Sequence, residues 1–108
     1  MLTVNNPETY FEELYNPMQS VELVVRHKVG LHARPAAMFV ETAKSFASKI
    51  TVSKNSRTVD AKSILAVLTL GVGQGDAIRI TAEGPDEAEA VQKLQALIES
   101  NFGMPDEQ

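Results

Sequence analysis

The sequence predicts an α+β domain: a two-layer open-faced sandwich with a four-stranded antiparallel sheet covered on one face by three helices, in the order β-α-β-β-α-β-α. Two observations carry this expectation. Apolar and polar residues alternate strictly in short stretches, the mark of strands with one inward face. Between them, apolar residues recur at spacings of three and four, the mark of amphipathic helices. A sheet with one polar face needs covering only on the other, so its strands are expected to be antiparallel.

The elements follow in order. Val21, Leu23 and Val25 alternate with Glu22, Val24 and Arg26 in a first strand. After a break at Val29-Gly30-Leu31, Ala36, Val40, Ala43 and Ala47, with Phe39 and Phe46 beside them, predict a helix from about Ala33 to Phe46. Ile50 and Val52 alternate with Thr51 and Ser53; Lys54-Asn55-Ser56-Arg57 has hairpin-turn composition, and Thr58 to Ala61 returns as a short third strand. Ser63 to Leu70 reads as a brief apolar helix closed by Gly71. Beyond the loop flanked by Gly73 and Gly75, Ile78, Ile80 and Ala82 alternate with polar residues in a fourth strand. Pro85-Asp86-Glu87 opens the last helix, whose stripe is Val91, Leu94 and Ile98 with Leu97, and Asn101-Phe102-Gly103 ends it.

Composition bounds the function. The chain has 108 residues, 44% hydrophobic and 22% charged, the balance of one globular domain. Ten Lys plus Arg against 14 Asp plus Glu give a net charge of −4, which argues against a nucleic-acid partner. The absence of cysteine excludes disulfides and thiolate metal clusters. No apolar run has the length of a membrane span, and the acidic start does not read as a secretory signal, so the expected location is the cytoplasm with no membrane partner.

Residues 1–20 stand apart as an N-terminal extension. Asn6-Pro7-Glu8 has the chemistry of a helix start, Tyr10, Phe11 and Leu14 share a face, and Asn16-Pro17 stops the pattern. The expectation is a short amphipathic helix, too short to be stable alone. Residues 21–103 form the domain and residues 104–108 a polar tail.

Gly30-Leu31-His32-Ala33-Arg34-Pro35-Ala36-Ala37 carries the chemistry. A strand ends, Gly30 permits a tight turn, and His32 begins a helix whose first amides lack intrahelical acceptors. The positive helix end favours a phosphate, and Arg34 supplies a planar fork of donors to phosphate oxygens. From the residues alone two readings stand: a polar residue that begins a helix, or a phosphoryl acceptor built from His32, the amides at Ala33 and Arg34, and the guanidinium. A metal pair of His27 with His32 is disfavoured, because no further ligand cluster accompanies it.

Gly30 to Ala37 resembles the phosphorylation-site signature of the HPr family, the histidine-containing phosphocarriers of the bacterial phosphoenolpyruvate-dependent phosphotransferase system. Lys62-Ser63-Ile64-Leu65-Ala66-Val67-Leu68-Thr69-Leu70-Gly71 resembles that family's second helix, and the match continues through Gln74-Gly75-Asp76 to about Gly103. The resemblance implies a stoichiometric phosphoryl carrier, not an enzyme. His32 would accept phosphate on Nδ1 from phosphorylated Enzyme I and pass it to Enzyme IIA domains in sugar uptake, with Arg34 balancing charge. It implies no metal and no cofactor, and a monomer. Ser63 keeps two readings: a helix cap, or the regulatory site modified by HPr kinase/phosphorylase. Ala66, where kinase-sensitive members often have Gly, is a departure, and so is Val29, where many carbohydrate-branch members have a small polar residue.

Ile64, Leu65 and Leu68 are too many apolar residues for one face of a short helix. The plain expectation is two buried and one exposed. The functional one is an apolar dock beside His32, made by Ala37, Ile64, Leu65 and Leu68 and rimmed by Arg34, Lys44 and Lys62. Glu41 suits acidic partners less well. Competing functions are a nitrogen-branch or purely regulatory HPr-like protein that acts by binding, and an anion- or nucleotide-sensing domain. Regulatory relatives typically lack the active histidine, so His32 with Arg34 favours the carrier; the match around Ser63 disfavours the sensing domain.

Overall fold

The computed structural model describes residues 18–103, so the expected helix around Tyr10, Phe11 and Leu14 lies outside the described residues. The chain runs β1 (Gln19–Val24), α1 (Ala33–Lys44), β2 (Lys49–Lys54), β3 (Arg57–Asp60), α2 (Ile64–Thr69), β4 (Ala77–Glu83) and α3 (Glu87–Glu99), followed by a turn at Asn101–Gly103. The sheet order is β1-β4-β2-β3, antiparallel throughout, with Val21 opposite Ile80, Val52 opposite Ile80 and Val52 opposite Val59. This is the two-layer open-faced sandwich the alternation predicts.

The core fills the space between one sheet face and the helices. Ile50, Val52, Ile78, Ile80 and Ala82 meet Ala36, Phe39, Val40 and Ala43 of α1, Val67 of α2, and Ala90, Val91, Leu94 and Ile98 of α3. Each large apolar side chain buried there contributes about 1.5–3 kcal/mol. The opposite face carries Ser20, Glu22, Arg79 and Thr81, where Arg79 binds Glu22 at 2.6 Å.

Several element ends differ from expectation. β1 begins at Gln19, two residues before the alternation becomes visible, and Ser20 bonds Thr81 across the strands at 3.2 Å. α1 stops at Lys44 rather than Phe46, so Ala47 is exposed instead of continuing the buried stripe. The cause is Asp86, which accepts the Ala47 and Ser48 N–H groups at 2.9 Å each and pulls the chain out of the helical path. β3 occupies Arg57–Asp60 rather than Thr58–Ala61, because Asn55 takes a positive φ of 57° and makes the turn tight. α2 is trimmed to Ile64–Thr69, with Ser63 and Leu70 as its caps. Leu97 is only half-buried at the margin of the α3 stripe.

Candidate phosphoryl-acceptor site

The loop from Val25 to His32 joins β1 to α1 and is fixed by a second loop, Gly71 to Asp76. Val25 donates to the Asp76 carbonyl at 2.9 Å, Gly75 donates back to Val25 at 2.7 Å, and Leu31 donates to Val72 at 3.0 Å. Gly30 has φ +64°, and a Cβ there would overlap the Val72 carbonyl and lie 2.6 Å from Gly73 Cα. Glycine is therefore required both by conformation and by close approach. Asp76 closes the second loop by accepting the Gly73 N–H at 2.8 Å and pairing with Lys54 at 3.0 Å. The Gly73 N–H and then Lys54 hold its carboxyl below the usual range.

His32 caps α1 with an extended backbone, φ −91° and ψ −171°, and its ring makes no cap hydrogen bond. The side chain is exposed, as is that of Arg34. Ala36 already donates to the His32 carbonyl at 2.7 Å, and Pro35 has no N–H. The open amides of this end therefore reduce to Ala33 and Arg34. The structure thus brings a free imidazole, two amide donors and a guanidinium to one helix start, an arrangement able to hold a tetrahedral anion. His27, by contrast, is buried, with Nδ1 accepting the Val29 N–H at 3.3 Å, and forms no pair with the exposed His32. Among the described residues no group of three or more His, Cys, Asp or Glu could hold a metal ion.

α2 packs against α1 and begins at Ser63, whose hydroxyl accepts the Ala66 N–H at 3.3 Å. The capping reading of Ser63 is thus realised in the structure. The expectation of two buried residues among Ile64, Leu65 and Leu68 is overturned: their exposures are 37%, 73% and 38%. The helix is six residues long and sends only Val67 fully into the core, so its remaining apolar side chains face outward. Val29 is exposed too, at 48%. Ala37 is exposed on α1, and Lys44 lies 4.0 Å from Glu41, which tempers its charge. Lys62 is half-buried, with Nζ donating to the Phe46 carbonyl at 2.7 Å, so it braces the end of α1.

Sequence reasoning missed two braces on α2. Lys54 Nζ donates to the Gly71 carbonyl at 2.6 Å and Arg57 Nη1 to the Thr69 carbonyl at 2.8 Å, placing two cations at the negative end of the helix. Their only signal was the positive charge at either side of the β2–β3 turn.

Comparison with known proteins agrees with this architecture. The family model for the PTS HPr component phosphorylation site matches residues 19–100. The phosphocarrier protein HPr of Cupriavidus necator is 43% identical over 82 residues, 76% of this chain and 92% of that protein. The HPr-like protein Crh of Halalkalibacterium halodurans is 44% identical over 82 residues, 76% of this chain and 98% of that protein. The crystal structure of HPr from Thermoanaerobacter tengcongensis superimposes with a TM-score of 0.79 at 49% identity, covering 81% of this chain and 98% of that one. With this match extending through both the His32 loop and α2, the chain belongs to the HPr family, the histidine-containing phosphocarrier proteins of the bacterial phosphoenolpyruvate-dependent phosphotransferase system.

Proposed function

We propose that this protein accepts a phosphoryl group on His32 from phosphorylated Enzyme I and passes it to a histidine of an Enzyme IIA domain. The observation that carries the reading is the exposed, uncapped ring of His32 beside the open amides of Ala33 and Arg34. The incoming phosphoryl group meets the imidazole as nucleophile. The phosphorus–nitrogen bond to the phosphohistidine of Enzyme I breaks as the new P–N bond to His32 forms, and in the onward transfer to Enzyme IIA His32 is the leaving group. The amides and Arg34 receive the charge that spreads over the phosphoryl oxygens. Neither partner's chemistry requires a metal or cofactor on this chain. The carrier acts stoichiometrically, as a cytoplasmic monomer, and residues 1–18, which precede β1, are an extension outside the carrier domain.

Docking is assigned to the exposed apolar residues Ile64, Leu65 and Leu68 of α2 and Ala37 of α1, with Lys44 and Lys62 as the cations that would flank a partner. Ser63 is the candidate for regulatory phosphorylation. A phosphate there would sit at the positive end of α2, compatible with the fold, and would place charge next to the apolar dock. Incubation with phosphoenolpyruvate, magnesium and Enzyme I tests the central claim by intact-mass spectrometry. One acid-labile phosphate is expected on the native chain and none on His32→Ala. Equal labelling of that variant would refute the assignment.

A further inference from the structure

His27 is five residues before His32, yet only 5% exposed. It holds the intervening turn in two ways. Its carbonyl accepts the Gly30 N–H at 2.9 Å, and its ring Nδ1 accepts the Val29 N–H at 3.3 Å. The next residue, Leu31, is fixed by the Val72 carbonyl, so the backbone that enters His32 is held at three successive amides.

The ring is itself clamped. Phe102, 1% exposed, meets it edge-on, with centroids 6.0 Å apart and planes at 79°. Phe102 reaches this place with φ 60°, a conformation that costs a non-glycine residue about 1–3 kcal/mol and is kept here by burial of its side chain. An apolar side chain would fill the space against Phe102 as well as an imidazole does. What an apolar side chain cannot supply is the acceptor for Val29. That acceptor requires a lone pair on Nδ1, which puts the ring proton on Nε2, a buried nitrogen without a hydrogen-bond partner among the described residues.

We propose that His27 is a positioning residue for His32: its Nε2-protonated ring accepts the Val29 N–H and so sets the turn that delivers His32 to the start of α1. This rests on His32 being the phosphoryl acceptor. The ring touches neither the phosphoryl group nor the donor, so its effect runs through backbone placement, to which transfer geometry is sensitive.

Two variants separate this role from packing. His27→Leu keeps apolar bulk without an acceptor, and His27→Asn offers Oδ1 close to the place of Nδ1. With phosphorylated Enzyme I as donor, the Leu variant should lower kcat about five- to tenfold, the scale of one lost hydrogen bond, with KM unchanged. The Asn variant should return to within about twofold of the native rate. Nitrogen NMR of the native chain should find Nδ1 unprotonated, and hydrogen exchange at Val29 should quicken in the Leu variant and recover in the Asn variant. A protonated Nδ1, normal transfer by the Leu variant, or an Asn variant as slow as Leu overturns the proposal. Undiminished labelling of His32→Ala overturns instead the reading of His32, while the tautomer and the Val29 exchange still decide whether His27 sets the turn.

Discussion

Asp86 and Ser48 are bonded to each other three times: the Ser48 hydroxyl and the Ser48 N–H both donate to the Asp86 carboxylate, and the Asp86 N–H donates back to the Ser48 Oγ at 3.2 Å. With the Ala47 and Ser48 amides on the same carboxylate, this knot joins the end of α1 to the start of α3. Gly84 lies against it, where a Cβ would come within 2.7 Å of Ser48 Cα.

Asp86 gives a pH dependence with a definite sign. The Ser48 hydroxyl, then the Ala47 amide, holds its carboxyl below the ordinary value of 3.8. A depressed carboxylate contributes stability that is fully present above that ordinary value and disappears as pH falls through the lowered one. Asp86→Asn is therefore expected to be less stable than the native chain at neutral pH, with the gap closing in strong acid. Urea midpoints measured from pH 7 down to pH 2 check this, and a gap that widens toward acid would contradict it.

Arg34 is exposed in the first turn of α1, away from the buried stripe of Ala36, Phe39, Val40 and Ala43. Arg34→Ala should therefore change stability by no more than about 0.5 kcal/mol. Its transfer rate from phosphorylated Enzyme I should fall by about tenfold or more, since a charge-assisted donor contributes about 1.5–3 kcal/mol. A collapsed melting temperature with normal transfer by the folded fraction would make Arg34 structural instead.

Ser63 and Leu65 stand two positions apart at the start of α2 but should respond oppositely. Ser63→Ala removes the cap on Ala66 and should cost about 1 kcal/mol in chemical denaturation, whereas Ser63→Asp, which can still cap, should cost less. Leu65→Ala, at a 73% exposed position, should leave stability within about 0.5 kcal/mol and raise the KM for Enzyme I. Unchanged KM would remove Leu65 from the dock.

Gly30→Ala tests the frame of the loop. The left-handed backbone and the close approach of Val72 and Gly73 together should cost about 1–3 kcal/mol or more, read as a lower melting temperature. A melting temperature equal to the native one would mean that the two loops part easily.

The contrast among these residues explains what was legible in the chain. Alternation at Ile78, Ile80 and Ala82 marks β4 because burial there follows the local period of the strand. The helix start at His32 was legible because its signals, Gly30, His32, Arg34 and Pro35, fall within six consecutive residues. The end of α1 was not, since Asp86 stops it from across 38 positions of sequence. The burial of His27 left no local signal, because its cover, Phe102, comes from beyond α3. The outward turn of Ile64 and Leu68 was equally hidden: periodicity marks apolar positions but does not say how many the core has room for.

β1 lies at a margin of the sheet, with β4 as its neighbour among the described residues. During synthesis, then, Val21 leaves the ribosome long before Ile80, and β2, β3 and α2 are all made in between. The bonds that frame the His32 loop, from Leu31 to Val72 and between Val25 and Gly75 or Asp76, arrive on the same late stretch of chain. A nascent chain therefore carries the complete signature around His32 without the scaffold that shapes it. The loop takes its shape only after Val72 to Asp76 have been made, and a chain cut short before Val72 would keep the motif and lose its frame.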